Sequence, residues 1–334
     1  MGGDFRLAEK MSEVYGAYDL QINQVMRGRG AFLLRTDEGI FQLKPMDVNP
    51  SRLEAEFQFK EQMVKLGFDK IDYCLKNRDE ELYTCDRYGN PYVLRRFFVG
   101  RECNPLNAQD VIYGVRNLAK LHQVGAEVFK QTERDVHIRV TGDFKKKNQG
   151  LKRVNNYILR QKSKREFETK FLKTFDYFYQ QGIRCQQEYE ELDGSDKNYH
   201  LGYCHGMYNH HSIVMTGESQ WPVGTISFDK FYLGNQMDDL YHYARKMVEK
   251  NDYNFKTLTN ILDEYAKINP LKHEDYEYIY INYCYPEKLY KLANQYMNGT
   301  KNWLSPKLIE KMQKFIEDEE KKQHILSEMQ KMYL

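Results

Sequence analysis

The chain has 334 residues, and its 50 lysines and arginines nearly balance its 48 aspartates and glutamates, for a formal net charge of +2. That balance gives no overall electrostatic support for a nucleic-acid or anionic-membrane partner. We find no apolar run near the roughly 20 residues that a membrane helix requires, and the charged N-terminus is unlike a signal peptide. The six cysteines lack CxxC pairs, which argues against a disulfide framework and favours free thiols.

The N-terminal region predicts a short helix followed by an antiparallel sheet. Residues 7–15 have a helical pattern, and alternating apolar residues then predict strands at 21–25, 30–36 and 39–44. The Asp37-Glu38-Gly39 break before the third strand indicates a hairpin. Lys44 ends that third strand, and a predicted helix at 51–66 follows it.

Two more strands and a long helix are predicted next. Strands at 81–86 and 91–97 are separated by a Gly-Asn-Pro turn, and the second strand leads into the sequence VGREC. The segment 110–122 then has apolar residues at helical spacing and ends in Leu-His. We interpret residues 97–104 as a hinge between an N-terminal lobe at 1–96 and a helical lobe at 105–334.

The stretch 203–230, YCHGMYNHHSIVMTGESQWPVGTISFDK, contains the main candidate for a functional site. It predicts a strand end, a tight loop at His205 and Gly206, a strand at 212–215 and a second strand that ends in Ile226-Ser227-Phe228-Asp229. Two strands that bring a polar loop and a polar strand end side by side are a common frame for reacting groups.

The remaining chain predicts a helical region. The basic segment 144–165 is predicted as a solvated helix surface, with docking of an acidic partner as the alternative. A long helix at 167–187 carries aromatic residues that we expect in the core. Further helices are predicted at 237–250, 257–268, 275–283, 286–298 and 306–332. The last has one apolar face, which we expect to pack on its own lobe.

The stretch 203–230 resembles the phosphotransfer centre of the aminoglycoside phosphotransferase and choline kinase branch of the kinase-like superfamily. There the loop reads H-G-D-x-x-x-x-N and the metal strand reads I-D-F/W-D/E. His205 matches the loop, but Met207 stands at the catalytic Asp position and Ser212 at the Asn position. Ser227 stands at the metal-Asp position, and only the following Asp229 is kept.

The same resemblance implies a nucleotide site in the N-terminal lobe. In kinases a third-strand lysine contacts nucleotide phosphates, and a glutamate of the next helix pairs with it. Lys44 matches this position, and Glu54 or Glu56 is the expected partner, in a pair that is either functional or purely structural. Glycines at 28 and 30 lie where a phosphate-covering loop would be, but they are too few to indicate more than a turn.

At family level, the chain resembles the spore coat CotS family of kinase-like proteins. The motifs GREC, LAKLH, CHGMYNHH, ISFDK, DDLYHYARKM, YPEKLYKLANQYMN and NWLSPKLIEK carry this resemblance by their order and spacing. It implies an α+β, bilobal, aminoglycoside phosphotransferase-like fold with a small β-rich N-lobe and a larger helical C-lobe. It also implies synthesis in the mother-cell cytoplasm, association with the spore coat, and other spore coat proteins as partners.

Three functional interpretations follow. The first is a catalytically inactive kinase-like protein with a structural or scaffolding role in coat assembly. The second is an active phosphotransferase that uses ATP and Mg²⁺, with Asp229 as metal ligand and a histidine, His205 or His211, as base. The third is a metal site at His205, His210 and His211, for which the neighbouring sequence offers no cysteine or acidic ligand.

Overall fold

The computed structural model describes residues 11–28, 30–131, 143–193, 200–218, 221–299 and 305–334. The chain forms two compact units, one of Met1–Val136 with Gly202–Leu233 and the other of His137–Leu201 with Gly234–Leu334. These limits differ from the lobes at 1–96 and 105–334 and the hinge at 97–104, which stay predictions. No described helix is both long enough and apolar enough to cross a membrane.

The first unit contains the predicted antiparallel sheet. Its strands are β1 (Ile22–Gly28), β2 (Ala31–Thr36), β3 (Gly39–Pro45), β4 (Thr84–Cys85) and β5 (Pro91–Phe97), in the order β1-β2-β3-β5-β4. Alternate apolar residues face a core on one side of the sheet, including Leu34, Phe41, Leu43 and Leu94. The strand predicted at 81–86 is shorter than expected, since only two of its residues pair.

The predicted hairpin between β2 and β3 is confirmed. Thr36 pairs with Gly39 across the turn, and Gly39 has a φ of +126°. Only glycine adopts such a backbone conformation at little cost. The Thr36 hydroxyl also donates a hydrogen bond of 3.0 Å to the Gly39 carbonyl. Local turn chemistry therefore fixes the pairing register of β2 with β3, the strand on which Lys44 lies.

Two helices of the first unit begin at asparagine caps. Helix α1 (Pro50–Lys65) follows Asn49, whose side chain accepts a hydrogen bond of 2.7 Å from the Arg52 backbone N–H. Helix α2 (Ala108–Lys130) follows Asn107, whose side chain accepts two backbone N–H groups. The apolar face predicted for α2 is confirmed, because its members are buried: Val111, Val115, Leu118 and Leu121.

Short strands frame the loop of the central stretch. The strands β6 (Arg101–Glu102), β8 (Ile213–Met215) and β9 (Val223–Thr225) form a sheet in the order β6-β8-β9. Two 3-10 turns, His210–Ser212 and Phe228–Lys230, lie before β8 and after β9. The strands β7 (Leu201–Cys204) and β10 (Tyr232–Asn235) lie where the chain passes between the two units.

The described part of the second unit is helical. Its helices are α3 (Phe144–Leu159), α4 (Glu166–Asp193), α5 (Met237–Lys250), α6 (Phe255–Ala266), α7 (His273–Cys284), α8 (Glu287–Asn298), α9 (Pro306–Glu317) and α10 (Glu319–Tyr333). The expected aromatic core of α4 is confirmed by one buried cluster, in which it packs with the apolar face of α9: Phe171, Phe175, Phe178, Leu308, Met312 and Phe315.

The single C-terminal helix predicted at 306–332 is wrong, because the chain breaks at Asp318 between α9 and α10. Asp318 is buried, and its carboxylate accepts a hydrogen bond of 3.0 Å from Lys314 Nζ. Lys288 Nζ lies 3.5 Å from the same carboxylate. The pair with Lys314 is local (i,i+4), whereas the contact with Lys288 is tertiary and is not revealed by the continuous amphipathic pattern.

Candidate functional site

Lys44, near the end of β3, forms an ion pair with Asp229. Lys44 Nζ lies 3.1 and 3.0 Å from the two carboxylate oxygens of Asp229. Lys44 stands opposite Val93 of β5, and Asp229 belongs to the 3-10 turn that follows β9. The two side chains are 19% and 18% exposed, so water reaches this pair.

Glu54 and Glu56, the carboxylates expected to pair with Lys44, have other partners. Glu56 accepts hydrogen bonds from both terminal nitrogens of Arg95, with Nη2 3.1 Å from Oε2, and from Lys60 Nζ at 2.5 Å. Glu54 is exposed and bonds within its own helix. The predicted pair is therefore wrong. Arg95 lies on the same face of the sheet as Lys44, and its planar guanidinium matches a carboxylate in a bidentate way.

Lys60 and Asp72 extend the contacts of Glu56. Lys60 Nζ donates hydrogen bonds to Asp72 Oδ1 at 2.6 Å and to the Asp72 carbonyl at 2.8 Å. The other oxygen of Asp72 accepts a bond of 2.7 Å from the Ser227 backbone N–H. The ion pairs thus fix α1 to the backbone just before the Asp229 turn.

A continuous charge network results, because Arg95 Nη2 also lies 3.4 Å from Asp229 Oδ1. The charge network consists of three cations and three carboxylates, so its formal charges cancel: Lys44, Lys60, Arg95, Glu56, Asp72 and Asp229. All but Lys44 and Asp229 are buried. Buried charges are tolerated when they are paired and hydrogen-bonded, as here.

The pairing keeps the buried Glu56 and Lys60 ionised. Burial would raise the pKa of the Glu56 carboxyl, but Lys60 and Arg95 hold it well below its usual range. Burial would likewise lower the pKa of Lys60, but Asp72 and Glu56 raise it. Removal of one member would therefore leave an uncompensated charge among the others.

Arg95, Lys60 and Asp72 are the members that sequence reasoning missed. The one local signal was the four-residue spacing of Glu56 and Lys60 on a helix, which favours an ion pair. No such spacing indicates Arg95, which is 39 residues from Glu56 and 134 from Asp229.

His205 is buried, and both of its ring nitrogens contact the backbone. Nδ1 accepts a hydrogen bond of 3.2 Å from the Met207 N–H, and Nε2 lies 3.0 Å from the Ile226 carbonyl oxygen. Because a carbonyl can only accept, Nε2 carries the proton and the ring is neutral. The Nδ1 lone pair is thus occupied, so His205 positions the loop and cannot serve as a base without breaking this bond.

The two other motif positions of the loop, Met207 and Ser212, carry neither a carboxylate nor an amide. Met207 is exposed and presents a thioether. The Ser212 hydroxyl accepts a bond of 3.0 Å from the Asn209 N–H and donates one of 2.8 Å to the Asn209 carbonyl, so it caps its own turn. Gly206 has a φ of +80°, and a Cβ there would lie 2.1 Å from the Lys230 carbonyl oxygen. The loop therefore keeps its close packing on the Asp229 turn.

Ser227, at the metal-Asp position, has a left-handed backbone with φ of 69° and ψ of 54°. Among non-glycine residues, asparagine and aspartate adopt this conformation most readily. The backbone shape at this position thus suits an aspartate, while the side chain present is a hydroxyl, which is a weak Mg²⁺ ligand by itself.

The three histidines of the proposed metal site are not brought together. Both ring nitrogens of His205 contact backbone groups, whereas His210 and His211 lie in the 3-10 turn beside Glu102 of β6. The acidic group that the local sequence lacked is thus supplied by a distant strand.

Residues 11–329 match a protein family described as Spore coat putative kinase YutH. This match confirms the resemblance to spore coat kinase-like proteins. No curated protein sequence is detectably similar to the chain.

Solved structures of phosphotransferases are similar to this chain in fold. An aminoglycoside phosphotransferase from Alicyclobacillus acidocaldarius has 16% identity and a TM-score of 0.80, with 96% of this chain and 95% of that chain covered. A spectinomycin phosphotransferase has 11% identity and a TM-score of 0.64, with 93% of each chain covered. A microcompartment-associated aminopropanol kinase has 14% identity and a TM-score of 0.59, with 94% and 95% covered. The predicted aminoglycoside phosphotransferase-like α+β fold is confirmed.

Proposed function

Because this chain belongs to the family described as Spore coat putative kinase YutH, we propose that it is a catalytically inactive kinase-like protein with a structural or scaffolding role in spore coat assembly. It is made in the mother-cell cytoplasm and then joins the coat, where its partners are other coat proteins. The proposed loss of catalysis is argued from the contacts of Lys44, Asp229 and the loop at His205.

The charge network is the observation that carries the proposal. Phosphoryl transfer depends on cations that neutralise the nucleotide phosphates and on carboxylates that hold Mg²⁺. Lys44 and Asp229 are the residues expected in these two roles, and here they neutralise each other. A nucleotide with its metal would first have to separate this ion pair, at the cost of losing its electrostatic attraction.

The loop adds a second line of support, because Met207, His205 and Ser212 are each unsuited to the proton transfer. The thioether of Met207 does not accept a proton at neutral pH, and the Nδ1 lone pair of His205 accepts a backbone N–H. The hydroxyl of Ser212 bonds within its own turn. These contacts favour inactivity over a phosphotransferase that relies on Asp229 and on His205 as base.

Nucleotide binding is the direct test of this proposal. We expect no change in melting temperature, and no heat of binding, with ATP or GTP in the presence or absence of Mg²⁺ or Mn²⁺. A ligand specific for the native state adds about 2.7 kcal/mol at a hundredfold excess over Kd, so real binding would be visible. A spectinomycin phosphotransferase measured in parallel serves as positive control.

Two variants separate the two interpretations. Asp229→Asn removes the carboxylate that neutralises Lys44, and Asp19→Asn removes an exposed carboxylate of the same unit as a matched control. The proposal would be contradicted if the parent chain bound nucleotide in a metal-dependent way, and if Asp229→Asn abolished this binding while Asp19→Asn preserved it. Asp229 would then be a metal ligand.

The scaffolding role is tested in sporulating cells. We expect a fluorescent fusion to collect at the forespore surface, and deletion of the protein to change which proteins are extracted from mature coats. A Lys44→Met/Asp229→Asn variant keeps the charge network neutral and should replace the parent fully. A fusion that stays diffuse, or a coat composition unchanged by deletion, would contradict this role.

A further inference from the structure

Two histidines and a glutamate meet on the first unit outside the charge network. His210 and His211 belong to the 3-10 turn before β8, and Glu102 belongs to β6. One ligand atom from each of the three lies within 4.8 Å of the other two. Among the residues that the structure describes, no other group of three histidine, cysteine or acidic side chains has this geometry. We call these residues the His-His-Glu cluster.

Strand pairing places Glu102 beside the histidines. Glu102 stands opposite Val214 in the antiparallel pair of β6 and β8, and the Cys103 N–H donates a bond of 3.0 Å to the Ile213 carbonyl. The two histidines come immediately before β8 in sequence. A shift of this register by one residue would turn Glu102 to the opposite side of the sheet.

The turn that carries the histidines is held by its own hydrogen bonds. The Asn209 side chain accepts a bond of 2.9 Å from the His211 N–H and donates one of 2.7 Å to the Met207 carbonyl. Ser212 completes a capping box with Asn209. The backbone that carries two of the candidate ligands is therefore fixed before any ligand binds, which lowers the entropic cost of binding.

The three ligand atoms lie within 4.8 Å of one another, which is near the spacing that a small cation requires. The His211 Nδ1 contacts a carboxylate oxygen of Glu102, and the rings of His210 and His211 have centroids 3.9 Å apart. Tetrahedral Zn²⁺ with bonds of about 2.0–2.1 Å holds its ligand atoms about 3.4 Å apart. The separation of up to 4.8 Å is wider than this, so the cluster would close around one ion by rotation of its side chains, of which His211 and Glu102 are exposed.

The neighbouring cation, Arg101, has another carboxylate as its partner. The Arg101 guanidinium binds the Asp110 carboxylate, with Nη2 2.8 Å from Oδ1, and only its contact with the Glu102 carbonyl reaches the next residue. The carboxylate of Glu102 thus lies beside the imidazoles of His210 and His211.

We propose that Glu102, His210 and His211 form a binding site for Zn²⁺ with an open fourth coordination position. Two imidazoles and one carboxylate are a common protein ligand set for zinc, with water or an outside ligand in the fourth position. The side chains of His211 and Glu102 are 61% and 53% exposed, so the fourth position faces solvent. This inference does not depend on whether the protein transfers phosphate.

Calorimetric titration of the full chain with Zn²⁺ tests the site. We expect one equivalent to bind, and His211→Ala and Glu102→Gln each to weaken binding at least tenfold. His273→Ala is the matched control, because His273 is also exposed and also lies beside a glutamate. It should bind zinc as the parent does, and circular dichroism should show that all variants are folded.

Co²⁺ in place of Zn²⁺ gives a second readout. The visible absorption bands of tetrahedral Co²⁺ should appear with the parent chain and be lost with His210→Ala. The proposal is overturned if the parent chain binds no Zn²⁺, or if His211→Ala and Glu102→Gln bind it as tightly as the parent. Equal weakening by His273→Ala would also overturn it, since the histidines involved would then lie elsewhere.

Discussion

Replacing Arg95 with methionine removes the guanidinium that contacts both Glu56 and Asp229. The Arg95 and Glu56 side chains are almost fully buried, at 2% and 1% exposure, so water cannot replace the lost contact. Removing one partner of a buried ion pair costs about 3–5 kcal/mol. The charge network would change from neutral to a net charge of −1, and we expect the free energy of unfolding to fall by this amount.

A second substitution tests the electrostatic cause. Arg95→Met together with Glu56→Gln removes one cation and one carboxylate, so the charge network is again neutral. Lys60 still has Asp72 as a partner. We therefore expect the double variant to lose less stability than the sum of the two single variants, with a coupling of at least about 1 kcal/mol. Lys76→Met is the control, because it breaks an exposed pair with Glu80 and should cost less than about 0.5 kcal/mol.

Urea unfolding at pH 7, followed by circular dichroism and tryptophan fluorescence, measures all four variants. The reasoning fails if Arg95→Met costs less than about 1 kcal/mol, as a surface substitution would. It also fails if the single losses add without coupling, because the two residues would then act independently.

Three further measurements follow from the structure. The pKa of Glu56 is lowered in the folded state, so the ionised carboxylate stabilises the fold above its unfolded pKa of about 4.5. This stabilisation is lost as the pH falls from that value towards the lower pKa of the folded state, and urea unfolding at several pH values should show the loss. Glu56→Gln should make the pH dependence of stability smaller. Gly206→Ala should cost more than about 2 kcal/mol in thermal unfolding, because the added Cβ would meet a backbone carbonyl. Gly217→Ala is the control: Gly217 also has a positive φ, of +75°, but an added Cβ would meet no atom within 4 Å, so the cost should be about 1 kcal/mol. Equal losses would argue against the close contact. Met312→Ala should cost about 2–5 kcal/mol by leaving a cavity in the helical core, and the exposed Met332→Ala should stay within about 0.5 kcal/mol of the parent; a small loss at both would contradict the observed packing.

Much of the local structure could be predicted because its causes lie within a few residues. Alternating apolar residues and a glycine at positive φ determine β2, β3 and the hairpin between them. Helical spacing determines α2 and the aromatic face of α4. The replacements at Met207, Ser212 and Ser227 were also visible in sequence, since the motif that they interrupt is short.

The partners of the charged residues were decided only by the tertiary structure. Lys44 binds a carboxylate 185 residues away, and Glu102 meets a histidine 109 residues away. Strand register and the turns beside the strands select these partners from many charged side chains of similar chemistry. Hydrophobic periodicity and turn preferences act between near neighbours, whereas an ion pair depends on which distant groups are brought within about 4 Å. The sequence by itself therefore determined the frame and the eroded motif, and the folded chain determined how the remaining charges are paired.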